Sequence, residues 1–95
     1  MEQTTIDSVF NYIDNTGFIS ELHTTLQKSI KNITRVKLED CIKDSIVNPD
    51  VRYLVEEVAF RLQYPTSVNY YFINSLISKI LSAAIPKLIL QVIRK

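Results

Sequence analysis

The sequence predicts an all-α fold, a small bundle of about five helices that forms one domain over residues 1–95. The chain contains one glycine and three prolines, so the segments between these helix-breaking residues are expected to be long and regular. Apolar residues recur three and four positions apart in most of these segments, which is the spacing of one face of a helix. Apolar residues make up 46% and charged residues 22% of the chain, values typical of globular domains.

The first three helices are predicted over residues 5–15, 18–33 and 36–47. Thr4 and Asp7 have the spacing of an N-terminal cap for the first helix. Gly17 is expected to end that helix, because glycine tolerates the left-handed backbone found at helix C-termini. In the second helix the apolar residues fall mostly four apart, beginning at Phe18, and the third carries a shorter apolar stripe.

The fourth and fifth helices are predicted over residues 49–63 and 67–93. Asn48 is a favourable capping residue, and Pro49 suits a first helical position, where no amide donor is needed. Tyr64 is expected to end the fourth helix, because the residue before a proline is pushed out of helical conformation. Pro86 is expected to interrupt or kink the fifth helix, since it lacks an N–H and crowds the preceding turn.

Charge and composition disfavour several classes of function. The formal net charge is +1 without a basic stripe, which disfavours direct binding of nucleic acid. Cys41 is the only cysteine, so we expect a buried, inert thiol in a cytoplasmic protein, or alternatively a nuclear one. His23 is the only histidine, is expected at the surface, and has no carboxylate at a catalytic spacing. We therefore predict no enzyme activity, and no catalytic, metal, cofactor or small-molecule site.

Four aromatic residues follow the fourth helix closely in the sequence. They are Tyr64, Tyr70, Tyr71 and Phe72. Aromatic side chains can stack on nucleotide bases, but such platforms occur with basic grooves, and the segment around the last three has no lysine or arginine. Core packing or a protein interface is therefore the favoured interpretation.

The fifth helix carries apolar pairs every four residues, from positions 72 and 73 to positions 92 and 93. Its polar residues are too frequent for a membrane span. Three roles remain open: a helix lying on a membrane surface, a helix closing the chain's own core, or a helix buried against a second copy or another protein. The last is favoured and membrane binding is disfavoured, because the apolar surface exceeds what so short a chain is expected to cover.

Two sets of residues are predicted to form the interfaces. The dimer interface is assigned to Leu54, Val55, Val58, Leu62 and Phe72. A helix-in-groove contact with a partner is assigned to Ile73, Leu76, Ile77, Ile80 and Leu81. In this prediction the first four helices form the bundle, and the fifth extends or completes an interface.

Two stretches resemble a known family of scaffold proteins. Residues 9–30 form a helix-Gly-helix unit, VFNYIDNTGFISELHTTLQKSI, and residues 53–72 read YLVEEVAFRLQYPTSVNYYF. Together they resemble the N-terminal LisH-type dimerisation region of the FOP / oral-facial-digital / TONNEAU family. The matching positions in the second stretch are Leu54, Val55, Glu57, Ser67 and Phe72.

The resemblance implies a non-enzymatic homodimerising module that also binds other proteins, as part of a centrosome, basal-body or microtubule-organising scaffold. The helix-Gly-helix opening is also similar to the Shg / biorientation-defective family, which implies a small helical subunit of a chromatin-modifying or chromosome-attachment complex. A peripheral membrane-binding helical protein is the third function that the sequence leaves open.

Overall fold

A computed structural model describes the backbone of residues 2–93 and the side chains of residues 2–90. Over this range the chain forms five α-helices and no strand, which confirms the predicted all-α bundle. The helices are α1 (Gln3–Asn15), α2 (Phe18–Gln27), α3 (Arg35–Ile46), α4 (Arg52–Leu62) and α5 (Ser67–Ile93), with a short 3-10 turn over Pro49–Val51 leading into α4.

Two of the predicted helix boundaries are confirmed by their capping geometry. Gly17, between α1 and α2, has a φ of 84°, the left-handed conformation that glycine adopts readily. Asn48 caps the 3-10 turn, where its side-chain oxygen accepts a hydrogen bond of 2.9 Å from the backbone N–H of Asp50. The predicted cap of α1 is wrong, because α1 begins at Gln3, before Thr4, without a side-chain cap.

The second helix is shorter than predicted. It ends at Gln27 rather than at residue 33, and the chain then turns back toward the bundle. This turn brings Ile33 into the core, where its side chain is 3% exposed. His23 is half-buried rather than at the surface, and its Nε2 lies 3.2 Å from the carbonyl oxygen of Ile33. Burying Ile33 through a turn therefore takes precedence over continuing the helix.

The fifth helix continues through Pro86, so of the predicted interruption or kink the interruption does not occur. Proline removes the hydrogen bond to the carbonyl four residues earlier, which here belongs to Ser82. Ser82 and Pro86 both lie on the exposed side of α5, away from its buried stripe. The predicted apolar pair at positions 92 and 93 and the basic residues Arg94 and Lys95 lie outside the residues whose side chains are described.

The core is organised around α5, which packs most extensively against α3 and α4. Its buried side chains recur three and four positions apart along one side: Ile73, Leu76, Ile77, Ile80, Leu81, Ala84 and Leu88. The prediction that the first four helices form the bundle and the fifth extends or completes an interface is therefore corrected. Instead α5 fills the space between the other helices, because one continuous apolar stripe lets it contact several of them.

Polar contacts fix how the first three helices sit against one another. Arg35, at the start of α3, donates to Asp14 of α1 at 3.0 Å and to Ser20 of α2 at 2.6 Å. Its Nε also lies 3.2 Å from a carboxylate oxygen of Glu39. The side chain of Arg35 is 41% exposed, so these contacts orient the helices more than they stabilise them.

A pair of tyrosines joins α1 to α5. The rings of Tyr12 and Tyr70 are stacked, with centroids 6.1 Å apart and planes within 6° of parallel. The Tyr12 hydroxyl donates a hydrogen bond of 2.8 Å to the side-chain oxygen of Asn74. Burial raises the pKa of Tyr12 above its usual value, and the neighbouring Tyr70 adds to the rise.

Cys41 is buried, as the sequence predicts. Its thiol faces the backbone oxygen of Ala84 on α5 at 3.7 Å. Burial raises the pKa of the thiol and nearby Asp44 raises it further, while Lys87 lowers it. The thiol form is thus favoured over the reactive thiolate.

Candidate interaction surface

Large apolar and aromatic side chains are exposed along the outer side of α4, in the turn after it and on the first turns of α5. We call this surface the aromatic face and define it by six residues: Tyr53, Phe60, Tyr64, Val68, Tyr71 and Phe72. Their exposed fractions range from 43% for Phe72 to 82% for Tyr71. Single exposed apolar residues are ordinary on a protein surface, but five exposed aromatic rings on one helix and the segment that follows it are not.

The helical repeat of α4 places its share of the aromatic face away from the core. Tyr53 and Phe60 are seven residues apart, which on a helix puts them about 20° from each other around the axis. Tyr64 follows four residues after Phe60, just beyond the end of α4. The buried residues Leu54 and Val58 lie on the other side of the same helix. The helix is therefore apolar on two sides, one facing the core and one facing solvent.

Three contacts hold the two parts of the aromatic face in place. The rings of Phe60 and Tyr64 meet at 5.6 Å between centroids, tilted by 52°. The guanidinium of Arg61 lies 4.4 Å from the ring centroid of Phe72, a cation–π contact between α4 and α5. The side-chain amide of Asn69 donates to the backbone oxygen of Tyr64 across the turn.

Two ion pairs lie along α4 on either flank of the aromatic face. On the flank next to α5, Arg61 Nη2 lies 2.6 Å from a carboxylate oxygen of Glu57. On the opposite flank, Arg52 Nε lies 3.8 Å from a carboxylate oxygen of Glu56. The Nε of Arg61 is buried and has no hydrogen-bond partner among the described residues. The flanks thus carry both signs of charge at matching four-residue spacings.

The predicted dimer-interface residues divide between the core and the surface. Leu54, Val55 and Val58 are buried among the chain's own helices, with at most 7% of each side chain exposed. Leu62 is half-buried, and Phe72, at 43% exposed, belongs to the aromatic face. The first three side chains thus serve the core of the single chain, which corrects their assignment to a surface that binds a second copy.

The predicted partner-binding residues all lie inside the molecule. Their exposed fractions do not exceed 8%; they are Ile73, Leu76, Ile77, Ile80 and Leu81. A partner helix cannot reach these side chains while the chain is folded as described. Core stripes and interface stripes have the same composition, and the apolar surface that suggested an external partner is buried against α3 and α4.

Tyr53, Phe60 and Val68 were not predicted as surface residues. A signal for the first two was present in the sequence. Both stand among the charged residues on the outer side of α4, where a helix of a monomeric bundle normally carries polar residues. An aromatic residue among the polar residues of a helix indicates an exposed apolar face, whereas a regular apolar stripe on the other side indicates the core.

The described residues show little sign of other binding chemistry. No three His, Cys, Asp or Glu side chains among them lie close enough together to hold a metal ion. One helical stretch, Ser67–Leu90, is long and apolar enough to cross a membrane by length and composition, with 39% of the tested window buried inside the protein. The apolar stripe of that stretch packs against α3 and α4, as the core helix of a bundle does.

Comparison with family models, with curated proteins and with solved structures yields no match to this chain.

Proposed function

We propose that this chain is a non-enzymatic protein–protein interaction and homodimerisation module that binds through the aromatic face. The observation that supports the proposal is the exposure of five aromatic rings and Val68 on the outer side of α4, in the turn after it and on the first turns of α5 in a folded chain. Tyrosine and phenylalanine are enriched in the centres of protein interfaces, where they bury a large area with few rotatable bonds.

The contacts within the aromatic face favour a docking role over a ligand pocket. Its rings lie on two helices joined by a short turn; Phe60 rests against Tyr64, and Phe72 rests against Arg61. These contacts preorganise Phe60, Tyr64 and Phe72, so these three side chains lose little conformational freedom on binding. Tyrosine hydroxyls also allow the surface to remain hydrated when no partner is bound.

Homodimerisation would give an associated complex paired binding surfaces and so raise its avidity. The cellular setting follows only from the resemblance stated above. We propose a microtubule-organising scaffold at the centrosome or basal body, in the cytoplasm. A nuclear role in a chromatin-modifying or chromosome-attachment complex is the alternative.

The proposal is tested by measuring the mass of the purified chain over a range of concentrations by sedimentation equilibrium. We expect a dimer that dissociates on dilution. The double variant Phe60→Ser, Tyr71→Ser should remain monomeric and keep its helical circular dichroism. The matched control is Val36→Ser, which changes an apolar residue that is 65% exposed on α3, away from the aromatic face, and should leave the dimer intact.

Two results would contradict the proposal. One is a monomeric wild-type chain at every concentration tested. The other is a dimer that the double variant leaves unchanged.

A further inference from the structure

The charged flanks of α4 indicate how a second copy would sit on the aromatic face. This inference rests on the proposed homodimerisation. We infer that two copies meet with their α4 helices antiparallel across a two-fold axis, so that Tyr53 faces Tyr64 of the second copy and Glu57 faces Arg61 of the second copy. The aromatic rings of α4 then lie between the helices, and the charges lie beside them.

The positions of the rings set the centre of this arrangement. Tyr53 and Tyr64 stand at the two ends of the exposed side of α4, with Phe60 between them. In an antiparallel pair centred midway between Tyr53 and Tyr64, Tyr53 of each copy lies against Tyr64 of the other. The same register brings Phe60 close to its own counterpart near the axis. Sliding the second copy by a turn or more leaves a terminal tyrosine without its counterpart.

The charges select the same register independently. A two-fold axis perpendicular to both helices keeps each flank opposite the same flank of the other copy. On the flank next to α5, the centred register sets Glu57 opposite Arg61. Sliding the second copy by about one helical turn in one direction would set Glu57 opposite Glu57, and in the other direction Arg61 opposite Arg61. Of these three registers, only the centred one brings Glu57 and Arg61 of the two copies together.

A parallel pair is disfavoured by the same charges. With the axis running along the helices, the flank next to α5 would face the opposite flank of the second copy at the same height. Glu57 would then stand beside Glu56 of the second copy, and the reverse contact would repeat the repulsion. The antiparallel arrangement instead extends the Glu57–Arg61 pair within each chain, 2.6 Å between N and O, into a group of four alternating charges.

The inference is tested by charge reversal followed by mixing. Glu57→Arg alone and Arg61→Glu alone each place like charges across the axis twice, and we expect each to weaken the dimer about tenfold or more. An equimolar mixture of the two variants should restore association close to the wild-type level, because both cross-axis contacts become attractive. The contacts within each chain stay repulsive in the mixture, so the recovery reports contacts between chains alone. Native mass spectrometry distinguishes the mixed dimer by its mass.

The other flank supplies a matched control. Arg52 and Glu56 form a similar four-residue ion pair on the same helix, at 3.8 Å. In the centred register Glu56 faces the uncharged Gln63 of the second copy, and Arg52 faces the turn after α4. Mixing Arg52→Glu with Glu56→Arg should therefore give no preference for the mixed dimer.

The outcomes separate this inference from the proposed function. A wild-type dimer whose Glu57 and Arg61 variants fail to recover on mixing overturns the register and leaves the aromatic face as the binding surface. Equal recovery by the control pair also overturns the register. The attraction between the opposite net charges of the two variants would then explain the recovery without any specific contact. A wild-type chain that never self-associates overturns both.

Discussion

The position of α5 inside the bundle predicts a large loss of stability from a single deletion in its buried stripe. We consider Ile77→Ala, because the side chain of Ile77 is completely buried. Removing a buried isoleucine side chain beyond Cβ costs about 2 to 5 kcal/mol, through lost apolar burial and the cavity left behind. A domain of this length has a total stability of roughly 5 to 14 kcal/mol, so the variant loses a large part of it.

The matched control is Val68→Ala on the same helix, where 78% of the side chain is exposed and a change of less than about 0.5 kcal/mol is expected. Both are measured by urea denaturation followed by circular dichroism. The background is Phe60→Ser, Tyr71→Ser, which is expected to be monomeric, so that unfolding does not depend on protein concentration. Similar effects of the two alanine substitutions would refute the packing of α5 within a single chain.

Two further substitutions test local features of the bundle. Gly17→Ala should destabilise the chain by about 1 kcal/mol in thermal or urea unfolding, because the φ of 84° is unfavourable for alanine although nothing lies within 4 Å of the added Cβ; a stabilised variant would contradict this conformation. Tyr12→Phe should cost about 0.5 to 1.5 kcal/mol at neutral pH, because it removes the hydrogen bond to Asn74 and keeps the stacking on Tyr70. Since the pKa of Tyr12 is raised by folding, its contribution is complete below about pH 10 and is lost as the pH rises through the raised pKa. Urea unfolding at several alkaline pH values should therefore show a smaller difference between wild type and Tyr12→Phe than at neutral pH.

The fold class was predictable because helical spacing and sparse helix-breaking residues both point to long helices. Boundaries marked by a specific backbone requirement were predictable too, as at Gly17 and Asn48. The end of α2 was not. It depends on Ile33 reaching the core through a turn, a long-range packing effect that outweighs the local tendency to continue the helix. At Pro86 the sequence predicted an interruption or a kink, and the interruption does not occur, because a helix held by packing over its whole length can tolerate one lost hydrogen bond.

The candidate surface was predictable only in part. Tyr64, Tyr71 and Phe72 belong to an aromatic cluster for which the sequence left core packing and a protein interface as alternatives. Periodicity alone identifies an apolar stripe but not what covers it. The most regular apolar stripes were therefore assigned to interfaces. In the structure those stripes fill the core. The residues that remain exposed interrupt the polar side of α4 and the first turns of α5.

The distinction between the buried stripes and the exposed rings changes the reason for proposing an interface. The sequence suggested a partner because the chain carried more apolar helix than it was expected to bury, and the buried stripe of α5 removes that reason. The proposal rests instead on rings that stay exposed after the core is filled. Phe72 belongs to the aromatic face and lies against Arg61, whereas the next residue, Ile73, is completely buried. The same turn of α5 therefore contributes to both the aromatic face and the core. Substitutions on the aromatic face can therefore abolish association while the bundle remains folded, whereas loss of association through Ile73 would always accompany loss of the fold.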